Sequence, residues 1–274
     1  MQDHEVFCIG KLPQTLMRGY RSIICLHGDL PYDFLRRSAL PIIAADGAAN
    51  ELYAQRIDPT VVVGDLDSAN EFILKHFRCE QIEDQNFCDF EKALDFVSNN
   101  PEFSPAIITG ISGGFFDHIL NNLRIFSQTD FLYFSSDMIG FVLENSIELE
   151  LPMNAKISIF GAPSALVYSK GLRWELNYQL NFFENNSCGN RVVAPKISLD
   201  IGEGRALVLI YLNEIKDRGC ENNSSTTKYK CPICKKIFEE AEFYPFCSKH
   251  CKNIDLNNWL SEVYYVAGKK DDSK

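Results

Sequence analysis

Residues 41–68 read PIIAADGAANELYAQRIDPTVVVGDLDS. Two short apolar runs, Pro41–Ala45 and Thr60–Val63, each end in a turn built from Gly and Asp. Between them, Ala48 to Gln55 has the spacing of a helix. A strand, a helix and a second strand in so few residues describe a crossover between parallel neighbours. The same alternation continues outward. Ser22–Leu26 reads as an earlier strand, and Asn70–Phe77 as a helix after the second run. Asp89–Val97 is amphipathic, with Phe90, Ala93, Leu94 and Val97 on one face. Ala106–Thr109 is another strand, and Phe116–Phe126 another helix. This pattern predicts a mostly parallel sheet covered on both faces. Near residue 130 it changes. From there to about 213 only strand-like runs and turns appear: Ile147–Leu151, Lys156–Phe160, Arg191–Ala194 and Ala206–Leu212. The expected fold is therefore an α/β parallel-sheet domain (1–130) followed by an all-β sandwich domain (131–213). A polar linker (214–228) and a small module (229–274), in which Cys231, Cys234, Cys247 and Cys251 are spaced as in a zinc knuckle, complete it.

The 274 residues are 46% apolar and 23% charged, which excludes wholesale disorder. No apolar run approaches the roughly 18 residues of a membrane span, and MQDHEVFCIGKLP lacks the pattern of a secretory leader, so a cytoplasmic location is expected. Net charge is −10 and uneven. Residues 1–213 hold 16 basic and 27 acidic side chains, a balance of −11, whereas residues 228–274 hold 9 and 7, a balance of +2. The large part would repel nucleic acid unless a metal intervened.

In open parallel sheets, ligands bind where strands end. Three such ends here are rich in Gly and Asp: Asp46-Gly47-Ala48, Gly64-Asp65-Leu66-Asp67-Ser68, and Gly110-Ile111-Ser112-Gly113-Gly114-Phe115-Phe116-Asp117-His118. A fourth segment, Asp84–Asp89, opens the amphipathic helix. Taken singly, GDLDS is most simply a turn, Asp89 a helix cap, and His118 a satisfied helix residue; His27 is open to either reading. Convergence on one sheet edge points instead to Mg²⁺ and a polyphosphate, since carboxylates are hard oxygen ligands. Neither a P-loop nor a dinucleotide fingerprint is present.

ADGAANEL, VVGDLDS, EDQNFCDFEKAL and GISGGFFDHILNNL stand in the order and spacing of the thiamine pyrophosphokinase family, which residues 5–213 resemble. SKGLRWEL and NNSCGN resemble its C-terminal half. The resemblance implies a homodimer with its active site at the subunit interface. It also implies transfer of a diphosphoryl group from ATP to the hydroxyl of thiamine, releasing AMP. Asp46, Asp65 and Asp67 match the family's Mg²⁺- and phosphate-handling acids. Gln85, Asp89 and Lys92 match its Q-x-x-x-D-x-x-K segment, and Asp117 and His118 its D-H pair. Trp174 and Asn190 match positions associated with the thiamine pocket. By this match Asp65 and Asp67 would hold Mg²⁺, Lys92 would offset further charge, and the Trp174 indole would hold the cationic thiamine rings. Either Asp89 or Asp46 would accept the alcohol proton. There are departures: Phe115 stands where the family usually has Arg, Cys88 where Thr or Ser is common, and His27-Gly28 where Asn-Gly is frequent. An apolar ring cannot bind phosphate, so either another cation compensates or nucleotide affinity is reduced.

Ten cysteines are distributed unevenly. Cys231 and Cys234, then twelve residues, then Cys247 and Cys251 form two thiolate pairs that can close a tetrahedron around Zn²⁺, leaving no open position. About 45 residues build little core, so metal is the expected staple. CPIC followed by YPFCSKHCKNIDLNNWLSEVY resembles the YacG family of small bacterial gyrase-inhibiting zinc proteins. That resemblance implies binding to the GyrB subunit of DNA gyrase, with Leu256 and Trp259 against the knuckle or a partner. Four thiolates on zinc add −2 and cancel the module's +2, which favours protein over DNA as its partner. The sequence thus leads to a thiamine pyrophosphokinase carrying a gyrase-binding tail. The alternative is a non-catalytic thiamine- or nucleotide-binding domain with a zinc-dependent interaction module.

Overall fold

The computed structural model describes residues 7–8, 19–212, 229–231, 233–238 and 246–260. The chain divides into two compact units, Met1–Gly219 and Cys220–Lys274.

In the first unit, β1 (Phe7–Cys8), β2 (Ser22–Cys25), α1 (Tyr32–Arg37), β3 (Ile42–Ala45), α2 (Ala48–Ala54), β4 (Val61–Gly64), α3 (Glu71–His76) and β5 (Cys79–Gln81) come first. Then follow α4 (Asp89–Asn99), β6 (Ala106–Thr109), α5 (Phe116–Phe126) and β7 (Leu132–Phe134). Strands β7-β6-β2-β3-β4-β5 lie side by side, all parallel. The chain leaves β2 toward β3 on one side and returns to β6 on the other, so strand order reverses between β2 and β6. β2, β3, β4 and β6 are buried along their whole length, as expected of strands covered on both faces. Alternate residues face alternate layers. Ile23, Ile42, Ala44, Val62 and Ile107 pack with Leu35 of α1, Leu52 of α2 and Ile73 of α3. Ile24, Ile43, Val61, Val63 and Ile108 pack with Phe90, Ala93 and Val97 of α4 and Phe126 of α5. The period-two side-chain alternation of a strand produces both layers at once.

After β7 the sheet turns antiparallel. β8 (Met138–Leu143) pairs with β7, and β9 (Ile147–Glu150), β10 (Lys156–Lys170), β11 (Asn177–Asn181), β12 (Ser187–Arg191) and β13 (Lys196–Tyr211) follow. The parallel and antiparallel strands thus share one mixed, hydrogen-bonded sheet. Two strands are far longer than the sequence suggests: the runs Lys156–Phe160 and Ala206–Leu212 are each one end of a 15- or 16-residue strand. Gly161-Ala-Pro163 and Gly202-Glu-Gly204 lie inside these strands and bend them without ending them. The β10–β13 register shifts between Gly161 and Ala165. Gly204 has φ +81°, and a Cβ there would lie 2.2 Å from the Ser164 carbonyl oxygen, so only glycine fits. Around the bend, β13 pairs first with β9 and then with β8, while β10 pairs first with β12 and then with β11. The expected strand at Arg191–Ala194 lies earlier, at Ser187–Arg191; beyond it, Val192 makes a single bridge to Leu172.

In the second unit, β14 (Tyr229–Lys230) and β15 (Ile237–Phe238) form a short hairpin. A tight turn between them carries Cys231 and Cys234, with Lys235 at φ +61° and its N–H donated to the Cys231 carbonyl. Cys247 precedes α6 (Lys249–Leu260), and Cys251 lies in its first turn. The side chains of Leu256 and Trp259 lie outside the described residues.

Candidate functional site

The acid-bearing ends of β3 and β4 and the start of α4 meet at one edge of the parallel sheet. Carboxylate oxygens of Asp46, Asp65 and Asp89 lie within 4.8 Å of one another. Local backbone geometry puts them there. Asp46 adopts φ +37°, a left-handed conformation that Asp tolerates better than most residues. Gly64 permits the approach from below: a Cβ on it would lie 2.8 Å from the Asp46 Cβ. α4 starts at Asp89 because the Glu91 carboxylate accepts the Cys88 N–H at 3.1 Å, holding the first turn.

Lys92, one turn further along α4, is buried and donates to Asp65 Oδ2 at 3.2 Å and to Asp89 Oδ1 at 3.5 Å. The Gln85 amide also donates to Asp65 Oδ2, at 2.9 Å. The three acids consequently differ. The Gln85 hydrogen bond, joined by Lys92, holds the Asp65 carboxyl below the usual carboxylate range. Burial, with the neighbouring acids, pushes Asp46 up. Burial and the Asp46 charge do the same to Asp89. Burial alone would depress Lys92, but its hydrogen bond to Asp65 and the charge of Asp89 raise it, so it stays cationic. Asp46 Oδ2 accepts the Ser68 N–H at 3.3 Å, whereas Oδ1 is buried without a donor among the described residues. An orphaned carboxylate oxygen beside two more carboxylates fits a hard divalent cation such as Mg²⁺.

This cluster borders a cleft of about 1160 Å³ at the point where strand order reverses. Its walls include the loop after β2 with His27, the glycine turn after β6, Gln85–Lys92, and the face of α5 bearing Asp117, His118, Asn121 and Arg124. The predicted Asp46, Asp65, Gln85, Asp89 and Lys92 therefore come together, with Asp117 and His118 across the cleft. Asp67 does not join them. Leu66, at φ +68°, turns the chain, and Asp67 is exposed and accepts the Ser68 hydroxyl at 2.9 Å. Phe115 lines the cleft with 78% of its surface exposed.

Trp174 and Asn190 form a separate pair in the antiparallel part and do not line this cleft. The buried Asn190 amide accepts the Trp174 N–H at 3.2 Å and donates to the Trp174 carbonyl at 2.7 Å. Asn190 thereby fixes a turn that leaves the indole 58% exposed, with the Arg173 guanidinium 5.7 Å from the ring centroid. Two cleft residues that the sequence reading did not single out are Glu91 and Arg124. Their signal was helical spacing: Arg124 shares a face with Asp117 and Asn121.

In the second unit the four sulfurs of Cys231, Cys234, Cys247 and Cys251 lie within 4.8 Å of one another, with Cys234–Cys247 at 3.3 Å and Cys247–Cys251 at 3.8 Å. Tetrahedral sulfurs about 2.3 Å from zinc would be spaced in this way, so the donor set fits Zn²⁺. Without a cation the sulfurs cannot all ionise together: the Cys234 sulfur beside Cys247 pushes its thiol up to about 12.

Comparison with known proteins follows this division. Residues 33–134 match the model of the thiamin pyrophosphokinase catalytic domain, and residues 229–274 that of the DNA gyrase inhibitor YacG. Thiamine pyrophosphokinase 1 of Oryza sativa subsp. japonica is 26% identical over 171 residues, covering 49% of this chain; the chain spans 65% of that relative's length. DNA gyrase inhibitor YacG of Brucella melitensis biotype 1 is 62% identical over 39 residues, which are 14% of this chain and 67% of that protein. Two solved structures share the fold. Thiamin pyrophosphokinase from Candida albicans has a TM-score of 0.62 at 13% identity, covering 77% of this chain and 94% of that one. The Bacillus subtilis enzyme has a TM-score of 0.58 at 17% identity, covering 70% and 99%. Residues 33–134 are thus similar to the thiamin pyrophosphokinase catalytic domain, and through residues 229–274 the chain belongs to the DNA gyrase inhibitor YacG family.

Proposed function

We propose that the first unit is a thiamine diphosphokinase, transferring the diphosphoryl group of ATP to the hydroxyl of thiamine to give thiamine diphosphate and AMP. The observation that carries this reading is the Asp46–Asp65–Asp89 cluster, braced by Lys92 at the switch point of a parallel sheet. Attack on a β-phosphorus is opposed by the charge of the polyphosphate. Mg²⁺ held by these carboxylates would screen that charge and polarise the phosphoryl oxygens. Asp65, kept ionised by Gln85 and Lys92, is the permanent anion for the cation. Asp89, held above the ordinary carboxylate range and 43% exposed, is the group suited to accept the alcohol proton. Asp67 adds negative charge beside Asp46, and Asp117 and His118 face the nucleotide from α5.

Trp174 offers an exposed indole face to the thiamine cation, held in place by Asn190. Because it stands apart from the acid cleft, this reading calls for a homodimer in which a second copy completes the site. The second unit folds around structural Zn²⁺ and docks on the GyrB subunit of DNA gyrase. The acidity of the first unit argues against direct DNA contact, and use of ATP beside reduced thiols would suit a cytoplasmic protein. Among the described residues no helix is long and apolar enough to cross a membrane.

The test is to incubate the full chain with thiamine, ATP and Mg²⁺ and to quantify thiamine diphosphate and AMP. Equimolar products are expected, falling about 10²–10³-fold in Asp65→Asn. Thiamine binding without product would instead support the non-catalytic reading, for which the exposed Phe115 ring is the motive. Capture of GyrB by the full chain, lost in Cys231→Ser, tests the second unit.

A further inference from the structure

Among the described residues, six carboxylates line the cleft, against two permanently cationic side chains, Lys92 and Arg124. Lys92 is committed elsewhere: its side chain is 2% exposed and its ammonium is shared between Asp65 and Asp89. It neutralises the floor of the site and does not extend from it. Among the described residues an anionic ligand therefore has one permanent cation to meet on the walls.

Arg124 is placed to be that cation. Its side chain is 53% exposed, and Nη2 donates to Glu91 Oε1 at 3.1 Å while Nε donates to Asn121 Oδ1 at 3.1 Å. Glu91 is itself fixed, since its other oxygen accepts the Cys88 N–H. The guanidinium is thereby held against the first turn of α4, the same turn that presents Asp89 and Lys92. These two contacts use two of its five N–H donors, and a planar fork pairs with phosphate oxygens two at a time. An exposed Arg–carboxylate pair is weak, whereas a phosphate group brings greater charge and bidentate geometry.

We infer that Arg124 is the polyphosphate-binding residue of the cleft, latched on Glu91 until the phosphates of a nucleoside triphosphate take the carboxylate's place. This rests on the reading of the cleft as a nucleotide site. Glu91 is the competing anion, so removing its charge favours the ligand, and removing Arg124 opposes it.

The experiment titrates the full chain calorimetrically with Mg²⁺–ATP, with AMP and with thiamine, and measures kcat and KM in parallel. The variants are Arg124→Ala, Arg124→Lys and Glu91→Gln, the last retaining an acceptor for the Cys88 N–H. Arg124→Ala is expected to weaken Mg²⁺–ATP at least tenfold, to weaken AMP less, and to leave thiamine within twofold. Arg124→Lys falls between. Glu91→Gln tightens Mg²⁺–ATP about two- to fivefold. A purely structural ion pair would make Arg124→Ala and Glu91→Gln weaken ATP alike, and that result overturns the inference. So does ATP affinity that is unchanged in Arg124→Ala while the wild type forms thiamine diphosphate. Conversely, Arg124-dependent ATP binding in a wild type that forms no product upholds the inference and removes the reaction. A wild type that binds no Mg²⁺–ATP at millimolar concentration overturns both.

Discussion

Three carboxylates in the first unit and four thiols in the second each crowd their donor atoms to within 4.8 Å. Repulsion is handled differently in the two places. The carboxylates sit on the rim of a sheet whose two packed layers hold them in place, and Lys92 supplies a positive charge from inside the protein. The thiols sit on the turn of a two-residue-per-strand hairpin, just before a helix and in that helix's first turn. On the proposed reading a cation is an addition to a folded site in the first unit and a condition of folding in the second.

Removal of metal tests this contrast most severely. Chelation of the full chain, or Cys231→Ser, should unfold the second unit, because structural zinc contributes about 10–16 kcal/mol in such modules. Hydrogen exchange should then lose protection at residues 229–260 while β2–β6 stay protected. Protection that survives chelation in the second unit would erase the distinction.

The internal cation comes next. Lys92→Met leaves Asp65 and Asp89 facing each other and Asp46. Breaking a fully buried pair costs about 3–5 kcal/mol; with Asp89 43% exposed, about 2–3 kcal/mol is expected. Thermal melting should show the loss, and millimolar Mg²⁺ should restore part of it in the variant. A variant as stable as the wild type without Mg²⁺ would mean that Lys92 does not offset the cluster.

The two sites were unequally legible in the sequence. The thiol site is written in local spacing, since two close pairs on turns bring four sulfurs together whatever surrounds them. The carboxylate site depends on topology. The alternation of apolar runs and helices located the strand ends that bear Asp46 and Asp65; Asp89, at the start of a helix, came only from the family resemblance. Spacing alone does not bring Asp67 into the Asp46–Asp65–Asp89 group, because a left-handed Leu66 lies between the two acids of GDLDS. Arg124 stands at no strand end and lines the cleft from α5 beside Glu91 of α4, so only its helical spacing from Asp117 and Asn121 signals it. The long bent strands were hidden because Gly and Pro serve equally at a turn and at a bend within a strand.

The smallest effect sharpens the comparison most. Asp46 and Asp89 titrate above an unfolded aspartate, so the folded state holds their protons more tightly. Their contribution to stability is then fully present below the ordinary carboxylate value, near pH 4, and is lost as pH rises through the raised value. At neutral pH and without a divalent cation, the first unit carries this cluster at a cost. Asp46→Asn removes one charge, keeps an oxygen for the Ser68 N–H, and tolerates the left-handed backbone that Asp46 adopts. It should therefore stabilise the metal-free protein by about 1 kcal/mol, which is roughly 2–4 °C in the melting of a unit this size. The same substitution should abolish the rise in melting temperature that Mg²⁺ produces in the wild type. A loss of stability in Asp46→Asn would show that the carboxylate is held for the fold, as the thiols are. A gain coupled to lost Mg²⁺ response would show a site that sacrifices stability for the cation it binds.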